Sequence, residues 1–258
     1  MREAWIIALN VFRQLLRNRI LVVLTLFALS LTGVVVFLGD LGQEAELRLA
    51  QDFGLLAIEW VAFFSVLLCH VVLLFEETEL KTINILLVKP VDRWQYLLGK
   101  IWGSVLLMLM NQAGMVLLLL LIGWAYGLPV VSPAFLVAVL YLSLGGLLLS
   151  TVAGLFSILA SSVPAAAVFT TFAFALGHFT TNLLDWAERT HHHGLKVLLR
   201  VLYWVLPNFS LFNLKENLSV IGPAVTFKGV FLWPLVYVLA YGGLMFGLAK
   251  WSYERKEF

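Results

Sequence analysis

Residues 76–100 read EETELKTINILLVKPVDRWQYLLGK, a long polar and charged stretch between two runs apolar enough to cross a membrane. It carries its own punctuation. Pro90 cannot continue a helix begun near Thr78, because it lacks an N–H and its ring strains the preceding turn. Asp92 can start a new helix, its carboxylate accepting from the next turn while Gln95 reaches back, so Asp-Arg-Trp-Gln has the form of a capping box that opens a further span. Upstream, Leu80, Ile83 and Leu87 share one helical face and Glu79, Lys81, Thr82 and Asn84 fill the other. That pattern predicts a short amphipathic helix lying at a membrane surface or in a partner's groove.

The chain on either side is far more apolar than a soluble domain. Of 258 residues, 62% are hydrophobic and only 12% charged, where a soluble chain carries roughly a quarter charged. A spanning helix needs about 20 mostly apolar residues, and the runs 20–38, 53–75, 101–126, 134–160, 165–184 and 230–248 qualify. The expected fold is therefore an all-α membrane protein of six transmembrane helices, a single domain over 1–258. No polar run exceeds about 45 residues, too few for a separate catalytic domain. The single cysteine, Cys69, lies inside a span, so disulfides and Cys-based metal sites within the chain are excluded.

Orientation follows from Lys and Arg near the ends of the spans. An inside N-terminus puts Arg2, Arg13, Arg17, Arg19, Lys81, Lys89, Arg93, Lys100, Lys250, Arg255 and Lys256 on the cytoplasmic side, most of the 17 positive residues. Both termini are then cytoplasmic. Residues 1–19 place Trp5, Ile6, Leu9, Phe12 and Leu16 at helical spacing with a basic flank, which suits an interfacial elbow helix turning into span one. The apolar run that follows continues to Leu38, longer than a cleaved signal's core.

Residues 39–52 form a short acidic loop, expected to be external and solvated. Span two contains Glu59 and His70. Ionisable residues within a span face a bundle interior or a water-filled path, although Glu59 lies near enough to the outer end to snorkel. His70 reads as an interhelical packing residue. Asn111 and Gln112, mid-span in span three, are expected to join helices. Gly146, Ser150 and Gly154 in span four, and Gly243 and Gly247 in span six, permit close helix contact, within one bundle or at a dimer seam. Spans four and five are joined by a tight inner turn at 161–164.

Residues 185–229 are the second large polar feature. Within them 195–206 is an apolar stretch too short to cross, interrupted by Lys196 and Arg200 and stopped by Pro207 and Asn208. It should lie on or dip into the outer leaflet as a re-entrant gate or as a packing lid, with Trp204 facing a second copy and Glu59 and His178 lining the space beneath. His191, His192 and His193 invite a metal, but three consecutive side chains do not easily converge on one ion. Two Asn-x-Ser matches, at Asn208 and Asn217, would matter only in a secretory pathway. Short loops suggest a bacterial membrane instead.

Residues 83–100, INILLVKPVDRWQYLLGK, resemble the signature of type-2 ABC exporter permeases, in which a threonine-led helix ends in Leu-Leu-x-Lys-Pro-Val, then x-Arg, then Tyr-x-x-Gly-Lys. The matching positions here are Thr82, Leu86, Leu87, Lys89, Pro90, Val91, Arg93, Tyr96, Gly99 and Lys100. FRQLLRNR at 12–19 is similar to that family's elbow helix, with Gln14 where an acidic residue is common, and Arg13 and Arg17 carry its charge. LPNFSLFNLK at 206–215 resembles the Leu-Pro-Asn stretch that precedes span six. Lys81 stands where the family often has glycine or arginine.

The resemblance implies a permease subunit without an ATPase of its own, and the chain has no Gly-x-x-x-x-Gly-Lys-[Ser/Thr] phosphate loop. It further implies two cytosolic ABC ATPase subunits holding ATP and Mg, a second permease copy, most simply as a homodimer, and a place in the bacterial cytoplasmic (inner) membrane. The chain itself is expected to carry no cofactor, no metal and no enzymatic activity, and to bind lipid bilayer but no nucleic acid. Residues 76–100 would be the coupling segment, with Glu77, Glu79, Lys81, Thr82, Lys89, Pro90, Arg93 and Lys100 at the ATPase contact, as helix-in-groove docking requires. Few polar groups project from the spans, which suits an apolar or amphipathic cargo. Rival readings are an ATP-independent channel or secondary transporter, using Glu59, His70 and His178 as a relay, and a membrane assembly subunit that moves nothing. An intramembrane serine protease lacks an ordered nucleophile motif.

Overall fold

The computed structural model describes residues 2–17, 19–41, 46–79, 92–126, 130, 132–160, 162–214 and 227–255. Within these the chain is helical, with no strand. The helices are α1 (Arg2–Arg17), α2 (Arg19–Leu41), α3 (Glu46–Glu79), α4 (Arg93–Tyr126), α5 (Pro133–Leu159), α6 (Val163–His178), α7 (Thr180–Arg189), α8 (His193–Val205) and α9 (Phe227–Arg255), with a 3₁₀ turn at Ser210–Phe212. Four helical stretches are each long and apolar enough to cross a membrane: Leu47–His70, Trp94–Ala125, Pro133–Leu159 and Leu232–Arg255. Two bent pairs raise the number to six if each is one span, Glu3–Arg17 with Val22–Val34 at 69° and Val163–His178 with Thr180–Arg189 at 57°. The expected amphipathic helix before Pro90 falls outside the described residues, as does the second Asn-x-Ser match.

Helix starts follow local chemistry. The Ser132 hydroxyl accepts from Phe135 N–H at 3.2 Å, and Pro133 opens α5 at a position that has no backbone donor to lose. The Asp92 carbonyl accepts from the amides of Gln95 and Tyr96, so α4 begins where the sequence places it. The reciprocal arm of the expected capping box is absent, because the Gln95 side-chain oxygen is buried without a partner.

Two boundaries depart from the sequence expectation. Residues 46–52, expected in a solvated loop, form the first turns of α3; Ala50 is buried in the core and the Gln51 side-chain amide donates to the Val130 carbonyl at 2.9 Å. Tertiary contact outweighs the local charge there. Span five, expected as one helix over 165–184, is broken after His178. A new helix, α7, accordingly begins at Thr180, inside that run.

α5 is the central helix, packed against α3, α4, α6 and α9. Lipid tails are as apolar as leucine, so helices associate by close packing and interhelical hydrogen bonds rather than by burial from water. Gly145 and Gly146 let Phe212 and Met108 approach, and Gly154 meets Ile101. The α5 stripe is thus spent inside the chain, whereas Gly243 and Gly247 of α9 have nothing within 4 Å. The mid-span amides do join helices: Asn111 donates to Ser65 at 2.9 Å and Gln112 accepts from Ser143 at 2.8 Å. Each such bond contributes about 0.6 kcal/mol. His70, buried, has Nδ1 3.3 Å from the Val66 carbonyl and Nε2 near the Ser104 and Ser150 hydroxyls, a packing role.

Candidate functional site

Two junctions carry the residues singled out from the sequence. At the end where α4 begins, α1 lies along α4 with Ala4, Ala8, Val11 and Leu15 buried, one per turn. Gly99 and Gly103 form the seat. A Cβ on Gly99 would stand 2.7 Å from Ile7 Cβ and 2.8 Å from the Ala4 carbonyl oxygen; one on Gly103 would stand 2.6 Å from Val11. Backbone and branched carbons cannot rotate away, so only glycine admits this contact.

The residues expected at a coupling site are distributed unevenly around this seat. Arg13 and Arg17 are exposed on α1. Glu77 and Glu79 end α3 and Arg93 begins α4, and their side chains lie outside what is described, as do Lys81, Thr82, Lys89 and Pro90 altogether. Lys100 is 3% exposed, its Nζ 5.0 Å from the Tyr96 ring centroid. It is buried against the Tyr96 ring rather than exposed on a rim.

The other junction is where α6 breaks beside the middle of the Leu47–His70 span of α3. His178 Nε2 is 2.6 Å from Glu59 Oε1, which joins α3 to the last turn of α6. The two residues singled out as lining are therefore direct partners, and Glu59 turns inward rather than outward. Phe209 stacks on the imidazole at 16° and Phe174 meets it edge-on, with Phe63 behind Phe174. A cavity of about 20 Å³ opens on Glu59, His178, Phe63, Phe174, Gly145 and Phe212, room for one water molecule.

Residues 205–213 strap this corner. Phe209 N–H donates to the Gly177 carbonyl at 2.9 Å, and the Thr180 hydroxyl lies 2.9 Å from the same carbonyl and 2.8 Å from Asn208 Oδ1. The Gly177 oxygen, which a continuing helix would offer to the amide four residues on, is taken here by groups from outside that ladder. Phe179 instead bonds back to Leu176 with φ −93° and ψ 4°, and the helix turns. α9 holds the other side of the strap: Asn208 N–H donates to the Tyr237 hydroxyl at 2.8 Å and the Tyr241 hydroxyl donates to the Val205 carbonyl at 2.7 Å. Ser210 also donates to Asn208 Oδ1. Pro207 is buried in the strap, whereas Trp204 is 80% exposed on α8, a helix with no buried residue that packs against α7.

Gly177, Thr180, Tyr237 and Tyr241 were not singled out from the sequence. One signal was available for the tyrosines: a hydroxyl in an apolar helix needs a partner, and positions 237 and 241 share a face. Among the described residues no three His, Cys, Asp or Glu side chains converge as a metal site, and His191, His192 and His193 are exposed.

The comparisons agree with the architecture. No curated protein matches the chain. The profile of a family described as ABC-2 family transporter protein matches residues 41–251, from the end of α2 to the last turns of α9, and so takes in both Gly99 and the strap. The chain belongs to the ABC-2 transporter family and is a multi-pass membrane permease component of an ABC transporter.

Proposed function

We propose that the chain works as an exporter: two copies form the substrate path and two separate cytosolic ATPase subunits, holding ATP and Mg, dock on residues 76–100 and power it. The observation that carries this reading is the glycine seat. α1 is locked onto α4 within two turns of the proposed docking segment, so a push on that segment moves α1 and α4 as one body. Glu77, Glu79, Lys81, Thr82, Lys89, Pro90 and Arg93 supply the contact, with Arg13 and Arg17 beside them. The open glycines of α9, Gly243 and Gly247, support pairing with a second copy. Both termini face the cytoplasm of a bacterial cell, and the α7–α8 hairpin closes the outer mouth, with Trp204 and its symmetry mate meeting there.

The test is the permease-stimulated ATPase rate of the complex purified with its native ATPase chain. Wild type raises the rate of the isolated ATPase. The double variant Glu79→Lys with Arg93→Glu assembles a normally folded bundle but loses that stimulation about tenfold, the scale of a disrupted interfacial charge pair. Unchanged stimulation in the variant rules out this segment as the docking site.

A further inference from the structure

The Glu59–His178 contact holds a proton that neither residue can spare. His178 Nδ1 is 2.9 Å from the Phe174 carbonyl oxygen, and a carbonyl only accepts, so Nδ1 carries hydrogen. Nε2 is 2.6 Å from Glu59 Oε1. If Nε2 were bare and the carboxylate ionised, two lone pairs would face each other at hydrogen-bond distance. One further proton must therefore lie between them, as imidazolium with carboxylate or as imidazole with carboxylic acid. Either arrangement carries no net charge, which suits a place walled by Phe63, Phe174 and Phe209.

The pair also stands at a hinge. His178 is the last residue of α6, the chain turns 57° into α7, and the strap that fixes this turn bonds to Gly177, one residue before. We propose that Glu59 and His178 form a one-proton binding site whose loading holds the α7–α8 hairpin against the bundle. When the proton leaves to water through the small cavity, the carboxylate faces the bare Nε2 and the contact opens. The last turn of α6 then loses its tie to α3, and Phe209 loses the ring it stacks on. The hairpin thereby gains an input independent of nucleotide, the proton activity of the compartment it faces.

The surrounding elements carry few competing groups among the described residues. α5 brings Tyr141, α9 brings Tyr237 and Tyr241, and the stretch 205–212 brings no titratable side chain. α3 itself carries Asp52 two turns away, toward its start. The charges of α7 and α8, among them Asp185, Glu188, Arg189, Lys196 and Arg200, lie beyond the turn and, Lys196 apart, are exposed. A single step is therefore expected rather than a broad titration.

Hydrogen exchange of the full chain in nanodiscs, followed from pH 5 to pH 9.5 and corrected for intrinsic rates, tests the site. In wild type, protection of the amides at 205–213 falls about ten- to a hundredfold through one step, the scale of a lost charge-assisted hydrogen bond. Glu59→Gln stays protected throughout, because the carboxamide N–H donates to bare Nε2 and its oxygen accepts from a protonated one. Glu59→Ala is unprotected throughout. A flat wild-type profile overturns the proposal. So does a step that survives in Glu59→Gln, which would assign it to another group, and so does a Glu59→Gln chain exposed at every pH, which would mean that ionic charge and not the shared proton makes the contact. If Glu59→Ala fails to fold, wild type against Glu59→Gln decides alone.

Discussion

Replacing Gly177 with alanine places a methyl group 2.4 Å from the Pro207 carbonyl oxygen and 2.4 Å from Phe209 Cδ2. The first obstacle is backbone, and the second is a ring already stacked on His178, so neither swings clear. Overpacking of this kind costs about 1–3 kcal/mol, and retreat of the strap forfeits the Phe209 to Gly177 hydrogen bond, worth about 1 kcal/mol. Alanine recovers at most about 1 kcal/mol of helix propensity over glycine. The net expectation is destabilisation by about 1–3 kcal/mol. Gly114→Ala is the matched control, since nothing lies within 4 Å of its Cβ position and only the propensity gain remains. Unfolding of both variants in mixed micelles by a denaturing detergent, followed by tryptophan fluorescence, measures the difference directly. If Gly177→Ala is as stable as Gly114→Ala, the strap is not seated on that glycine and the argument for the break in α6 fails with it.

Gly99→Ala should unseat α1: in a Cys69→Ala background, a cysteine placed at Leu15, 1% exposed in the native chain, should react with maleimide about tenfold faster, the equivalent of about 1.4 kcal/mol. Unchanged reactivity would show that α1 is held elsewhere. Topology is testable in the same background, because Trp204 and Arg13 are both exposed and the proposed orientation assigns them to opposite sides of the membrane. A membrane-impermeant maleimide added to intact cells should label Trp204→Cys and leave Arg13→Cys untouched until the cells are permeabilised; the reverse pattern inverts the orientation.

The two junctions differ in how they were legible. Glu59 and His178 stood out because an ionisable side chain in an apolar run needs a partner or water, and that rule drew attention to both. It did not pair them, since residues 119 apart in the chain meet only if α3 and α6 pack side by side. Pro207 and Asn208 were visible as a stop. Their part in a strap was not, because the groups that receive them, Gly177, Thr180 and Tyr237, belong to three other helices. Gly99 belonged to a recognisable motif, yet its purpose emerges only when α1 is seen lying across it.

Composition and run length by themselves determined that this chain crosses a membrane with several helices, since a span must be long, apolar and internally hydrogen-bonded whatever surrounds it. The mid-span amides and His70 were assigned to packing on the same ground. Tertiary structure alone decided where helices end. Residues 46–52 are helical because Ala50 and Gln51 find partners across the bundle, and the fifth hydrophobic run breaks because a strap from 30 residues downstream takes the Gly177 carbonyl. It also decided which glycine stripe serves the fold and which stays open. A periodic pattern shows that a face can be approached closely, but which neighbour approaches is a property of the packed bundle.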